Sequence, residues 1–185
     1  MGGQAHQLPG NARQPCHQFR PAGVRPDPQT HQLHVLTSGY FRDGEATAAA
    51  WRNGWFHTGD AMRRSAEGDF YFVDRYKDCI RRKGENISSY EVEGYVLDHP
   101  AVAEAAAVGV PSDDGEQEIK VFVVPREPVD LAVLGDWLAE RMPQFMTPRY
   151  LETVPSLPRT PATERVQKSS LRSRPAGPTL WDRSA

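Results

Sequence analysis

Two kinds of apolar pattern alternate along residues 86–172. Residues 103–110 (AEAAAVGV) and 118–125 (EIKVFVVP) are short apolar runs, and a proline closes each of them. Runs of this length with β-branched residues predict buried strands. Residues 149–154 (RYLETV) predict a third, shorter strand.

Between these runs, apolar residues recur every three or four positions, as on one face of a helix. Ser88 with Glu91 three residues later has the form of a capping box, and Asp130 can cap a second helix. A third, short helix is expected over residues 166–172. The residues that share the apolar faces are Val92, Tyr95 and Val96, then Leu134, Trp137 and Leu138. The alternation predicts an α+β fold, a small sheet covered by helices.

The segment before residue 86 predicts fewer elements, namely a short helix, a turn and a strand. Residues 43–51 contain four alanines, which favour a short helix. Asn53 and Gly54 then predict a turn, and residues 68–74 alternate like a strand. We therefore expect order to begin near residue 39.

The two ends of the chain differ from this patterned region. Residues 1–38 hold four of the six histidines, five prolines and six glutamines, with little apolar periodicity. We expect a disordered leader over residues 1–37, or a gene start placed too far upstream, and a flexible tail over residues 173–185. The leader's potential metal ligands fit no compact zinc spacing, so we predict no metal site there. They are His6, Cys16, His17, His31 and His34.

Composition excludes several classes of function. The formal net charge of −2 gives no pull toward nucleic acid, and the short basic run 81–83 lacks interleaved aromatic residues. Two cysteines make no disulfide framework. The chain has neither an apolar run of about 18 residues nor the apolar core of a signal peptide. We expect a cytoplasmic protein without a transmembrane segment, in an oligomeric state that the sequence leaves open.

Three separated stretches carry a resemblance to one family. GWFHTGD (54–60), DRYKDCIRRKGENISSYEVE (74–93) and LPRTPATERVQK (157–168) are similar, in this order, to the last motifs of the adenylate-forming acyl-CoA synthetases. Residues 38–51 and 99–124 also resemble segments of these enzymes.

The resemblance implies a domain organisation and a reaction. Residues 38–76 would be the end of the large AMP-binding body domain, and residues 77–172 the mobile lid. The family joins a small-molecule carboxylate to coenzyme A with ATP, through an acyl-adenylate, and releases AMP and pyrophosphate. The family's Mg²⁺ would be held by ligands outside this chain, since no Gly-rich phosphate loop occurs here.

Five positions match residues of the family's nucleotide and thiol sites. Asp60 resembles the aspartate that accepts hydrogen bonds from the ribose hydroxyls, although a plain turn residue would look the same. Arg75 resembles the arginine on the ribose and phosphate side of AMP, with a surface charge as the alternative. Asn86 matches a position that reaches the AMP phosphate. Gly84 lies in the loop that faces the thiol channel, although turn geometry alone could also demand a glycine there. Lys77 matches the hinge about which the lid turns.

The last motif departs from the family pattern. The family shows a PRTxTGK-like sequence whose lysine stabilises the adenylation transition state. Allowing for one extra residue, Arg165 falls where that lysine is expected, and Lys168 lies three positions on. Arginine is larger and planar, so it is an imperfect replacement. Either Arg165 or Lys168 takes the catalytic role, or the first step is weakened.

Three functional hypotheses remain open. The first is a fragment of an acyl-CoA ligase that supplies the lid and is inactive alone. The second is a non-catalytic binding or regulatory module that docks on a separate ligase body, which predicts an exposed apolar face around residues 38–75. The third is a truncated gene product.

Overall fold

The computed structural model describes residues 20–24, 39–52, 55–65, 69–112 and 115–184. The predicted Asn53-Gly54 turn and the histidines and cysteine of the leader lie outside these ranges. The ranges contain four α-helices and ten strands, which form two four-stranded sheets and one two-stranded hairpin.

The first sheet is built around its longest strand, β3. This strand pairs antiparallel with β2 through its first residues, with β4 through its last residues and with β1 along most of its length. The strand β1 belongs to the predicted disordered leader, so the expectation of disorder does not hold for these five residues. The bounds are β1 (Arg20–Val24), β2 (Trp51–Arg52), β3 (Trp55–Arg64) and β4 (Phe70–Arg75).

A short helix, α1 (Gly44–Ala50), precedes β2 as the alanine-rich sequence predicts. Its first turn is capped by Asp43, whose carboxylate accepts a hydrogen bond from the Ala46 amide at 2.8 Å. The cap satisfies an amide that the helix cannot pair internally.

The second sheet has the strand order β10-β9-β8-β7. Its central pair, β8 and β9, is parallel, and the two outer pairs are antiparallel. The hairpin of β5 and β6 lies before it in the chain. The bounds are β5 (Ile80–Arg82), β6 (Glu85–Ile87), β7 (Val102–Pro111), β8 (Gln117–Pro125), β9 (Tyr150–Thr153) and β10 (Leu180–Asp182).

Helices cover both faces of the second sheet. One face packs against α2 (Ser89–Leu97) and α3 (Leu131–Arg141), with Val121 and Leu138 fully buried between them. The other face packs against α4 (Lys168–Arg172) and the segment before it. The predicted α+β fold with a helix-covered sheet is confirmed. Because successive strand residues point to opposite faces, the second sheet has one apolar cluster on each face.

The predicted helix starts are also found, with one difference at α2. Asp130 accepts a hydrogen bond from the Ala132 amide at 2.8 Å, and Ser88 accepts one from the Glu91 amide at 3.2 Å. Within the described ranges, the carboxylate that joins Ser88 at the start of α2 is Asp74 of β4 rather than Glu91.

The predicted flexible tail is structured over most of its length. Strand β10 adds to the edge of the sheet by pairing with β9. The ring of Trp181 lies against Gly135 of α3, where a Cβ atom would collide with it. Arg183 donates a hydrogen bond to the Gly135 carbonyl at 3.1 Å. In the part of the chain that the structure describes, no helix is long and apolar enough to cross a membrane.

Candidate functional site

The two residues predicted to contact a nucleotide lie side by side on the first sheet. Asp60 of β3 and Arg75 of β4 are register partners, and Arg75 Nε lies 3.0 Å from Asp60 Oδ1. Arg75 also donates to the Thr58 carbonyl at 3.1 Å. The side chains of Arg75 and Asp60 are 40% and 22% exposed, so the pair presents a carboxylate and a guanidinium together at the surface.

The predicted hinge residue follows β4 directly. Lys77 lies in a 3₁₀ turn, Tyr76–Asp78, and is exposed. Arg172 of α4 donates to the Lys77 carbonyl at 3.0 Å and pairs with Asp78 Oδ1 at 2.6 Å. Arg172 therefore connects this turn to α4.

The β5–β6 hairpin carries Gly84 at its tip. Lys83 and Gly84 both have positive φ, 50° and 78°, as a two-residue type I′ hairpin turn requires. A Cβ at Gly84 would meet nothing within 4 Å, so the backbone conformation and not crowding demands glycine here. Asn86 lies in β6 opposite Arg81 and is half-buried.

The basic run beside Gly84 does not present all its charges outward. Arg82 turns inward, with Nε 2.7 Å from Glu118 Oε2 and Nη1 donating to the carbonyls of Phe145 and Thr147. These bonds fasten the hairpin to the second sheet. Arg82 thus has a structural role in this conformation.

The final motif forms a tight loop that exposes Arg165. The Thr160 amide donates to the Arg165 carbonyl at 2.9 Å, and the backbones of Arg159 and Val166 pair as an isolated antiparallel β-bridge. Glu164 has a φ of 52°, at the position where the family pattern has glycine. A left-handed backbone conformation costs a non-glycine residue about 1 kcal/mol.

Lys168 is held inside the fold. Its ammonium lies 2.7 Å from Glu93 Oε1 and 2.6 Å from Ser89 Oγ, and its side chain is 14% exposed. Glu93 also accepts from the Ala107 amide at 2.8 Å. Burial raises the pKa of Glu93, and the neighbouring Lys168 opposes that shift.

Asp74 was not predicted as a site residue from the sequence. This carboxylate is 4% exposed and accepts hydrogen bonds from the Ser89 amide at 2.6 Å and the Ser89 hydroxyl at 2.7 Å. The sequence shows only an aspartate at the end of a strand of aromatic residues. It does not show that this aspartate contacts the serine pair at residues 88 and 89.

The surroundings of Cys79 disfavour its thiolate. Burial, together with the nearby carboxylates of Asp74 and Asp78, raises the pKa of its thiol to about 11. The thiol is therefore protonated at neutral pH.

The structure joins some of the predicted site residues and not others. Asp60 and Arg75 form one pair, and Arg172 connects Lys77 to α4. Among the contacts of the described residues, none joins Arg165 or Gly84 to the Asp60–Arg75 pair.

Taken together, these features define a class of protein. The Asp60–Arg75 pair precedes the turn Tyr76–Asp78, and a small mixed sheet with helices on both faces follows it. Residues 91–163 match the model of the AMP-binding enzyme C-terminal domain. The chain thus carries the AMP-binding enzyme C-terminal domain, and its fold is that of the lid domain of adenylate-forming enzymes.

Similar proteins agree with this assignment. The chain is 38% identical over 138 residues to a crotonobetaine/carnitine–CoA ligase of Salmonella arizonae, covering 73% of this chain and 27% of the ligase. It is 35% identical over 170 residues to a sulfoacetate–CoA ligase of Cupriavidus necator, covering 82% of this chain and 33% of that ligase. The solved o-succinylbenzoate CoA synthetase of Bacillus subtilis, in complex with its acyl-adenylate intermediate, superposes with a TM-score of 0.68 at 34% identity, covering 76% of this chain and 29% of that one. The chain thus spans about a quarter to a third of these relatives' length.

Proposed function

We propose that this chain supplies the lid, and the strand edge next to it, to an acyl-CoA ligase whose AMP-binding body lies outside these residues. The reaction would convert a carboxylate, ATP and coenzyme A into acyl-CoA, AMP and pyrophosphate. The observation that carries the proposal is the Asp60–Arg75 pair, directly before the hinge turn. Residues 38–76 would complete the body, and residues 77–172 would be the lid.

The chemistry of the pair suits the sugar and phosphate of AMP. A carboxylate can accept hydrogen bonds from both hydroxyls of a ribose, and Asp60 uses one oxygen in its contact with Arg75. The Arg75 guanidinium is permanently charged and can donate to two phosphate oxygens. Because Asp60 also orients Arg75, the two residues would bind the nucleotide as a unit.

The hairpin and the hinge would serve the second step. The exposed turn at Gly84 offers a backbone without a side chain, which a pantetheine arm can approach closely. Asn86 lies two residues beyond and would reach toward the AMP phosphate. Turning at Lys77 would exchange the groups that face the nucleotide between the two steps.

Of the two basic residues in the final motif, Arg165 is the better candidate for adenylation. Lys168 is engaged by Glu93 and Ser89, whereas Arg165 is exposed at the tip of its loop. An exposed guanidinium can move against the reacting carboxylate and α-phosphate and stabilise their charge. Arg165 would do so less well than the family's lysine because its donors lie in a fixed plane.

The exposed aromatic side chains between residues 40 and 72 support a need for a body domain. Exposed aromatic side chains cluster in the segment that the second sequence hypothesis expected to be apolar, which a folded chain normally covers. They are Tyr40, Phe41, Trp55, Phe70, Tyr71 and Phe72. The same surface would serve a non-catalytic module that docks on a separate ligase body, so this second function remains a candidate.

Pyrophosphate release tests the proposal. The pure chain, given ATP and a carboxylate, should release none, because it brings no phosphate loop. Adding the body of a related ligase, cut before the segment that corresponds to residues 38–76, should give acid-dependent release, and Asp60→Asn should reduce it strongly while Asp69→Asn should not. Acid-dependent release from the chain alone, or equal effects of the two substitutions, would contradict the proposal.

A further inference from the structure

A buried carboxylate, that of Asp74, forms hydrogen bonds across the hinge turn. Asp74 is the next-to-last residue of β4, and the turn Tyr76–Asp78 separates it from the carboxyl-terminal part of the chain. Its Oδ2 accepts from the Ser89 amide at 2.6 Å and the Ser89 hydroxyl at 2.7 Å, with the Tyr90 amide at 3.4 Å. A body-side carboxylate thus binds the first turn of a lid helix.

The position is favourable for a negative charge. The nine-residue helix α2 begins at Ser89, and its first amides point outward without partners inside the helix. Those amides and the helix dipole stabilise a carboxylate. Asp74 is 4% exposed, so without these donors its charge would be strongly destabilised.

The contact continues into α4. Ser89 donates its hydroxyl to Asp74 and accepts from the Lys168 ammonium at 2.6 Å. Lys168 in turn pairs with Glu93 on the next turn of α2 at 2.7 Å. The buried series of Asp74, Ser89, Lys168 and Glu93 therefore joins β4, α2 and α4.

These contacts cannot survive a rotation at Lys77. Asp74 lies on one side of the turn, and Ser89 and Lys168 lie on the other. We propose that Asp74 is a positioning residue that latches the lid in the orientation seen here, and that lid rotation in the ligase cycle requires its carboxylate to leave α2. The latch itself is a property of this chain, and only its place in the cycle rests on the proposed function.

Hydrogen exchange of the full chain tests the latch without substrate or body. In Asp74→Asn and Asp74→Ala, the amides of residues 76–79 and 89–91 should exchange about tenfold faster or more, as expected when charge-assisted hydrogen bonds are lost. The amides of β7 and β8 should keep their rates. Asp69→Asn is the control, since Asp69 is exposed just before the same strand.

A double-substitution cycle separates a latch from a general loss of structure. Ser89→Ala should also accelerate exchange at the hinge, and adding it to Asp74→Ala should give little further change, because both remove one contact. Additive effects, unchanged rates at residues 76–79, or an equal acceleration in β7 and β8 would overturn the proposal. Because no turnover is measured, this result is independent of the pyrophosphate assay.

Discussion

At the residue scale, the final motif combines an unusual backbone with an unusual side chain. Glu164 has a positive φ where the family pattern has glycine, and Arg165 stands where the pattern has lysine. The motif alignment predicted the second departure, and the backbone conformation of Glu164 was not predicted. The alignment could not separate Arg165 from Lys168, because the partners of Lys168, Ser89 and Glu93, lie some 75 to 79 residues away in the chain.

Restoring lysine at this position should favour the first half-reaction. In a mixture with a lidless body, Arg165→Lys should raise pyrophosphate release from acid and ATP by about tenfold or more, since a compact ammonium fits the developing charge better. Thioester formation from preformed acyl-adenylate should change by less than about twofold, as this step does not use the residue. Arg141→Lys, at an exposed position in α3, is the matched control. Equal rates for Arg165→Lys and the unchanged chain would argue against the assigned role.

At the element scale, patterns within one segment were predicted and contacts between segments were not. The apolar runs predicted β7 and β8 almost to the residue, and the caps at Ser88 and Asp130 were found. Strand β10 escaped prediction because it has three residues and depends on pairing with β9 and on Trp181. Such a strand has no periodic signal of its own, and its stability comes from tertiary packing.

Substitutions at two helical glycines separate the effect of this packing on stability from the effect of helix propensity. Gly94→Ala in α2 should stabilise the chain by about 0.5–1 kcal/mol, since nothing lies within 4 Å of the added Cβ. Gly135→Ala in α3 should instead destabilise it by about 1–3 kcal/mol, because the Cβ would collide with the Trp181 ring.

Urea unfolding of both variants measures these free energies. If both substitutions changed the free energy of unfolding in the same direction, β10 and Trp181 would not pack on α3 in solution. Hydrogen exchange at residues 180–182 should rise in Gly135→Ala alone, which locates the effect.

At the scale of the whole molecule, the turn Tyr76–Asp78 connects the first sheet to the part of the chain that forms the second sheet. The residues before this turn carry the Asp60–Arg75 pair and the exposed aromatic side chains, and the residues after it carry the Gly84 turn and Arg165. The division at residue 77 and the roles of the candidate residues come from the family motifs and stay predictions. The latch at Asp74 was not predictable, because it depends on how two parts of the chain pack across a turn and not on a local pattern.

Thioester formation from preformed acyl-adenylate tests the central claim most directly, namely that this chain is a working lid for an acyl-CoA ligase. The full chain would be mixed with the lidless body of a related ligase, with binding measured by sedimentation, and acyl-CoA followed after coenzyme A is added. The account predicts that acyl-CoA forms well above the rate of the body alone. A folded chain that binds the body and leaves that rate unchanged would contradict it.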